Sequence, residues 1–172
     1  MKLIFSIFLV FAVFGVNCAA QSGCFAELSV APVLFNLKLG ISPAEAQSVV
    51  GKDLKIKNKR KGEYTFFQNF IENRAPVSLA NVRAFYLRFY DGALYQIEIF
   101  YEGETSAGTL EDFINRQSAK LNLPPEAWKI KYGIAEINCG AFSLAADKFL
   151  NPRVELTDET IRAKVEAARK RD

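Results

Sequence analysis

Apolar and polar residues alternate most regularly between Val82 and Tyr101, and the turn pair Asp91-Gly92 divides that run in two. The pattern predicts a β-hairpin of strands Val82–Tyr90 and Ala93–Tyr101. Parity selects its loop. A two-residue loop of Asp91-Gly92 sets Leu87 opposite Gln96 and Phe85 opposite Glu98, which mixes apolar and polar residues on both faces. A three-residue loop, Tyr90-Asp91-Gly92, pairs Leu87 with Tyr95 and Phe85 with Ile97. One face then carries Phe85, Leu87, Phe89, Tyr95 and Ile97, and the other Tyr86, Arg88, Gln96 and Glu98. Because register follows the buried face, the expectation is a type I turn with Gly92 in a left-handed bulge.

Three helices are expected around this hairpin. Ser42 is a good N-cap, Pro43 sits at the first helical position, Glu45 completes a capping box and Gly51 supplies a stop, so a helix runs over Pro43–Val50. Thr109 caps a second over Leu110–Leu121, where Leu110, Phe113, Ile114 and Leu121 fall close to helical spacing. The third covers about 158–171 with Thr157 as its cap. Acids at its start and bases at its end suit the helix dipole, but its apolar stripe of Ile161, Val165 and Ala168 is thin, so it docks lightly.

Residues 24–40 read as an entry strand or extended segment, and 53–71 as two strands around a basic turn. Further short strands are expected near 128–132, 135–139, 141–146 and 153–156. The fold class is therefore α+β, short helices packed on an antiparallel β-sheet. Residues 21–157 read as a single domain; two stretches of it, about 40–102 and 109–156, share the plan of one helix followed by strands without sequence identity, which leaves open two tandem halves. The charged C-terminal helix of 158–172 follows them.

The start of the chain adds an address. Lys2 precedes a run that is apolar over 3–16 except at Ser6 and Gly15, and small residues follow at Cys18, Ala19 and Ala20. This is the pattern of a signal peptide, with cleavage after Ala20. The expected location is periplasmic or extracellular. Removing the leader takes Cys18 with it and leaves Cys24 and Cys139, 115 residues apart. In an oxidising compartment a disulfide between them is the favoured reading. Closing a loop of that length is worth roughly 4–5 kcal/mol in the chain-entropy account. Two alternatives stay open: acylation of Cys24 after Ser22-Gly23, which makes the protein lipid-anchored, or two buried thiols.

Composition narrows the chemistry. The formal charge of +3 falls to +2 once Lys2 is lost, too little to imply a nucleic-acid partner. There is no histidine, which excludes histidine-dependent catalytic triads and histidine-ligated zinc. Two cysteines cannot build a four-cysteine site, and neither a phosphate-binding glycine loop nor a nucleophile elbow is present. No cofactor and no catalytic residue is expected. The acids Glu98, Glu102, Glu104, Glu111, Asp112, Glu126 and Glu136 are scattered. A pair of them acting on envelope polysaccharide is the alternative function, since two carboxylates suffice for glycoside hydrolysis.

Two stretches are candidate contact sites. Lys55, Lys57, Lys59, Arg60 and Lys61, with Lys52 just before them, form a basic turn that suits phosphate, anionic lipid or an acidic partner; a solvated sheet edge has the same composition. Tyr86 and Arg88, with Tyr90 at the hairpin loop, are residue types favoured at protein interfaces. A face covered by the chain's own tail helix would carry them too.

The stretch Leu39-Gly40-Ile41-Ser42-Pro43-Ala44-Glu45, followed by Val49-Val50-Gly51, resembles the opening of small exported bacterial proteins. These include the small lipoprotein of the outer-membrane β-barrel assembly machine and the β-lactamase-inhibitor-protein fold. In both, a short helical element precedes a small antiparallel sheet, and the inhibitor repeats that plan in tandem. The resemblance implies non-catalytic protein binding in the cell envelope or outside it. The leading expectation is thus an exported binding or scaffold module that meets another protein through a sheet face.

Overall fold

Local capping signals set the starts of the first two helices, and a computed structural model describing residues 27–51, 55–60, 62–70, 79, 81–103 and 108–171 bears them out. Helix α1 spans Pro43–Val50: the Ser42 side chain accepts from the Glu45 amide while Glu45 reaches back to the Ser42 amide at 2.7 Å. Helix α2 spans Leu110–Leu121, with the same reciprocal box between Thr109 and Asp112 and a left-handed cap at Asn122. Each box satisfies amides that the first helical turn leaves without partners.

The strands are β1 (Lys55–Arg60), β2 (Glu63–Asn69), β3 (Val82–Tyr90), β4 (Ala93–Tyr101), β5 (Lys129–Lys131), β6 (Ile134–Asn138), β7 (Phe142–Asp147) and β8 (Arg153–Asp158). They form one 8-stranded sheet in the order β1-β2-β3-β4-β8-β7-β6-β5, and every neighbouring pair is antiparallel. The order is symmetric about the β4/β8 pair. Each side is one helix followed by a four-stranded meander: α1 with β1 to β4, then α2 with β5 to β8. The last strand of each meander pairs with the last strand of the other, from Gln96 opposite Thr157 to Phe100 opposite Arg153.

Antiparallel pairing with period-two side chains gives the sheet two unlike faces. On one, Leu87, Ile97, Leu144 and Leu156 are fully buried, with Phe85, Phe89, Leu94, Ile99 and Val154 beside them. Both helices join this core. Ala46 and Val50 of α1 and Phe113 and Ile114 of α2 belong to the same continuous cluster. The Phe113 and Tyr101 rings meet edge-on with centroids 5.8 Å apart, and Trp128 Nε1 donates to Ser118 Oγ at 2.8 Å. The opposite face is polar. Helix α3 (Glu159–Arg169) docks there, against β4, β7 and β8.

Three expectations need correction. The hairpin loop is the two-residue Asp91-Gly92, with Tyr90 opposite Ala93 and positive φ at both Asp91 (48°) and Gly92 (80°), a type I′ turn. Its twist matches that of the strands, and a bulge at Tyr95 then shifts the register so that Leu87 meets Ile97. The face membership of Phe85, Leu87, Phe89 and Ile97 survives, but Tyr95 turns to the polar side. The N-cap of α3 is Asp158, whose Oδ1 accepts from the Ile161 amide at 2.9 Å; Thr157 instead continues β8 through its pairing with Ser143. Residues 28–30 form a single 3-10 turn, and Leu34 and Leu37 share one bridge across Phe35 and Asn36, both with positive φ. That segment is therefore folded back on itself rather than extended. The signal peptide, Cys18 and Cys24 lie outside the described residues.

Candidate functional site

The candidate site is the polar face, built by the residues that alternate with the core positions of β2, β3, β4, β8 and β7. Glu98 stands at its centre. It is 6 % exposed, and two guanidinium groups reach it: Arg153 Nη1 at 2.6 Å and Arg88 Nη2 at 3.6 Å. Arg153 also donates from Nε to Asp147 Oδ2 at 2.6 Å and lies 3.6 Å from Glu155. Gln96 continues the lattice. It accepts from Arg88 and donates to Glu155 at 2.6 Å and Thr157 at 3.1 Å. Burial pulls the Arg153 guanidinium down, but its hydrogen bonds to Glu98 and Asp147 outweigh burial and hold it above the ordinary arginine range. The partners come from four strands, and the β4/β8 pairing is what brings Glu98 beside Arg153 and Glu155.

Helix α3 caps part of this face. At its start Ser143 Oγ donates to Glu159. At its far end Arg169 reaches Glu63 on β2, and the same carboxylate accepts from the Tyr95 hydroxyl at 2.9 Å. Burial alone would raise Glu63, but the bonds from Arg169 and Tyr95 outweigh it and leave the carboxyl below its ordinary value of 4.5. Burial, reinforced by the bond to Glu63, pushes the Tyr95 phenol up. Between these two clasps only Val165 of the helix is buried, so the light docking expected from its thin stripe is what the structure has.

Beyond the ion lattice, toward the end of the sheet where β2 and β3 part, three rings line up on the same face. Phe67 and Tyr86 have centroids 4.6 Å apart, and Tyr86 meets Phe100 edge-on at 5.9 Å. All three are half-buried.

Tyr86 and Arg88 thus lie together, as expected, one in the aromatic row and the other in the lattice. Tyr90 is separated from them at the turn end of the hairpin, opposite Glu63 and near the α3 clasp. The basic stretch is not the expected turn: Lys55, Lys57, Lys59 and Arg60 lie along β1, an edge strand paired with β2 from Lys55 opposite Phe67 to Arg60 opposite Glu63; Lys61 falls outside the described residues. Cys139 is 8 % exposed just after β6, and its amide donates to the Phe142 carbonyl at 2.9 Å. Among the acids singled out from sequence, only Glu98 enters the lattice. Asp112 caps α2, Glu111 shares its first turn, and Glu102, Glu126 and Glu136 are exposed; Glu104 is outside the described residues. Sequence reasoning passed over Asp147, Arg153, Glu155 and Phe100. Their signal was the alternation Arg153, Glu155, Thr157 along β8, which becomes meaningful only once β8 is known to sit beside β4.

Chemically, Glu98 and Asp147 converge on one arginine, and both are engaged as hydrogen-bond acceptors. Such an arrangement orders a surface and presents charge in fixed positions. Among the described residues no three His, Cys, Asp or Glu side chains cluster to hold a metal ion, and no helix is long and apolar enough to cross a membrane. Comparison of the chain with protein-family models, with curated proteins and with solved structures finds no match.

Proposed function

We propose that this protein is an exported, non-catalytic binding or scaffold module that docks another protein on the polar face of its sheet. One observation carries the reading: the half-buried row Phe67, Tyr86 and Phe100 abuts a lattice in which Arg88, Glu98 and Arg153 are already held in place. Aromatic anchors beside ordered arginines are the composition of interface hot spots. Groups fixed before the partner arrives lose little freedom on binding. The leader pattern supports a site of action in the periplasm or outside the cell. The reading includes a disulfide between Cys24 and Cys139, the latter buried just after β6, which would staple the mature N-terminus to that end of the sheet.

The test is retention of a partner from an envelope extract of the source organism. Wild-type protein should retain a defined protein that a Phe67→Ser, Tyr86→Ser variant loses, with circular dichroism unchanged. Equal retention by both would refute the reading.

A further inference from the structure

Among the described residues, the most exposed large apolar side chains do not lie on the polar face. They gather at one corner of the sheet, in the turn between β5 and β6 and the connection between β7 and β8. Tyr132 is 86 % exposed, Phe149 66 % and Leu150 91 %, with Ile130 beside them at 47 %. The two loops touch: a Cβ placed on Gly133 would lie 3.0 Å from Phe149 Cζ. Their bases are held by the pairing of Ile134 with Asp147 and by the Lys148 ammonium on the Gly108 carbonyl.

Two features separate this corner from an ordinary edge. Tyr132 occupies the first central position of a type I′ turn, with φ 53°. That left-handed conformation favours Asn, Asp or Gly and is strained for an aromatic residue, and the ring it holds out is in water. The flanking strand β5 is Lys129, Ile130, Lys131, all exposed, and Lys131 Nζ stands 5.1 Å from the Tyr132 ring centroid. Lysines alone would protect a sheet edge, but they leave the protruding Tyr132, Phe149 and Leu150 unexplained.

We infer that this corner inserts into the headgroup region of an anionic lipid bilayer, with Tyr132, Phe149 and Leu150 entering the interface and Lys129 and Lys131 meeting lipid phosphates. Tyrosine with flanking lysines is the composition of the bilayer–water boundary. Three tip side chains offer an area well short of the roughly 800 Å² per partner that a stable protein interface needs, whereas a headgroup layer asks for no shape complementarity. An anionic surface supplies the charge that the lysines complement, each worth about fivefold in affinity. None of these tip residues belongs to the aromatic row or the ion lattice of the proposed protein-binding face, and the inference does not depend on that reading.

The experiment is co-sedimentation of the protein recovered from an exporting host with phosphatidylglycerol–phosphatidylcholine vesicles. Binding should weaken with salt. It should fall at least tenfold in a Tyr132→Asn, Phe149→Ser, Leu150→Ser variant, and by about twenty-fivefold in Lys129→Gln, Lys131→Gln. The variant Lys57→Gln, Lys59→Gln should bind as wild type. A Tyr132→Trp reporter should be quenched by lipids brominated near the headgroup. No vesicle binding, binding unchanged by the tip substitutions, or loss only in the β1 lysine variant would each overturn the inference. So would a tip variant whose sole defect is loss of self-association.

Discussion

The two faces of the sheet are made by the same strands and obey different physics. On the apolar face, Leu87, Ile97, Leu144 and Leu156 are sealed under α1 and α2, where almost any well-packed set of similar volume would serve. On the other, Arg88, Glu98, Arg153 and Asp147 hold one another in a partly solvated lattice, and α3 is fastened at its ends rather than packed along its length. The contrast separates two kinds of order: the apolar face accounts for most of the stability, and the polar face holds charged groups in fixed positions, where the proposed docking is placed.

That contrast can be broken most forcefully in the core. Leu87→Ala should cost about 3 kcal/mol in urea unfolding, because Leu87 is fully buried and its neighbours in both layers cannot close the gap. Arg153→Ala should come next, at about 2 kcal/mol. It leaves Glu98 and Asp147 buried without their shared partner, an effect discounted because the arginine side chain is itself 29 % exposed. If Arg153→Ala proved as costly as Leu87→Ala, the lattice would be a second core and the division between the faces would fail.

The α3 clasp should have the smallest global effect. Glu63→Gln should change overall stability by less than about 0.5 kcal/mol, since Arg169 is 52 % exposed. It should nevertheless speed hydrogen exchange along α3 selectively. The pH dependence has a definite sign. The folded-state carboxyl of Glu63 lies below its ordinary value of 4.5, so its stabilisation is complete above that value and is lost as pH falls through the depressed one. Protection of the α3 amides relative to their intrinsic exchange rates should therefore fall on acidification in wild type, and Glu63→Gln should lack that acid step.

Helix boundaries were legible because their determinants are local. Ser42, Pro43, Glu45 and Gly51 lie within ten residues, and Thr109 and Asp112 within four. The hairpin was legible in its faces but not in its loop. Side-chain parity says which residues share a side, yet a bulge resets the count, and the Tyr95 bulge let the tighter Asp91-Gly92 turn coexist with an aliphatic face. The α3 cap moved one residue because β8 extends as far as its neighbours pair with it, which no local signal reports. The lattice was the least legible part. Glu98 and Arg153 are 55 residues apart, and their meeting depends on the antiparallel junction of the two meanders. Tyr86 and Arg88 could be named in advance because residue type alone marks them; Phe100 and Arg153 could not.

The most direct test of the polar face as a docking surface is site-specific photo-crosslinking in the living envelope. Benzoylphenylalanine substituted for Tyr86 should capture one discrete partner protein, whereas the same probe in place of Glu111, on the solvent side of α2, should capture none. Equal products from both positions, or no product from position 86, would contradict the account.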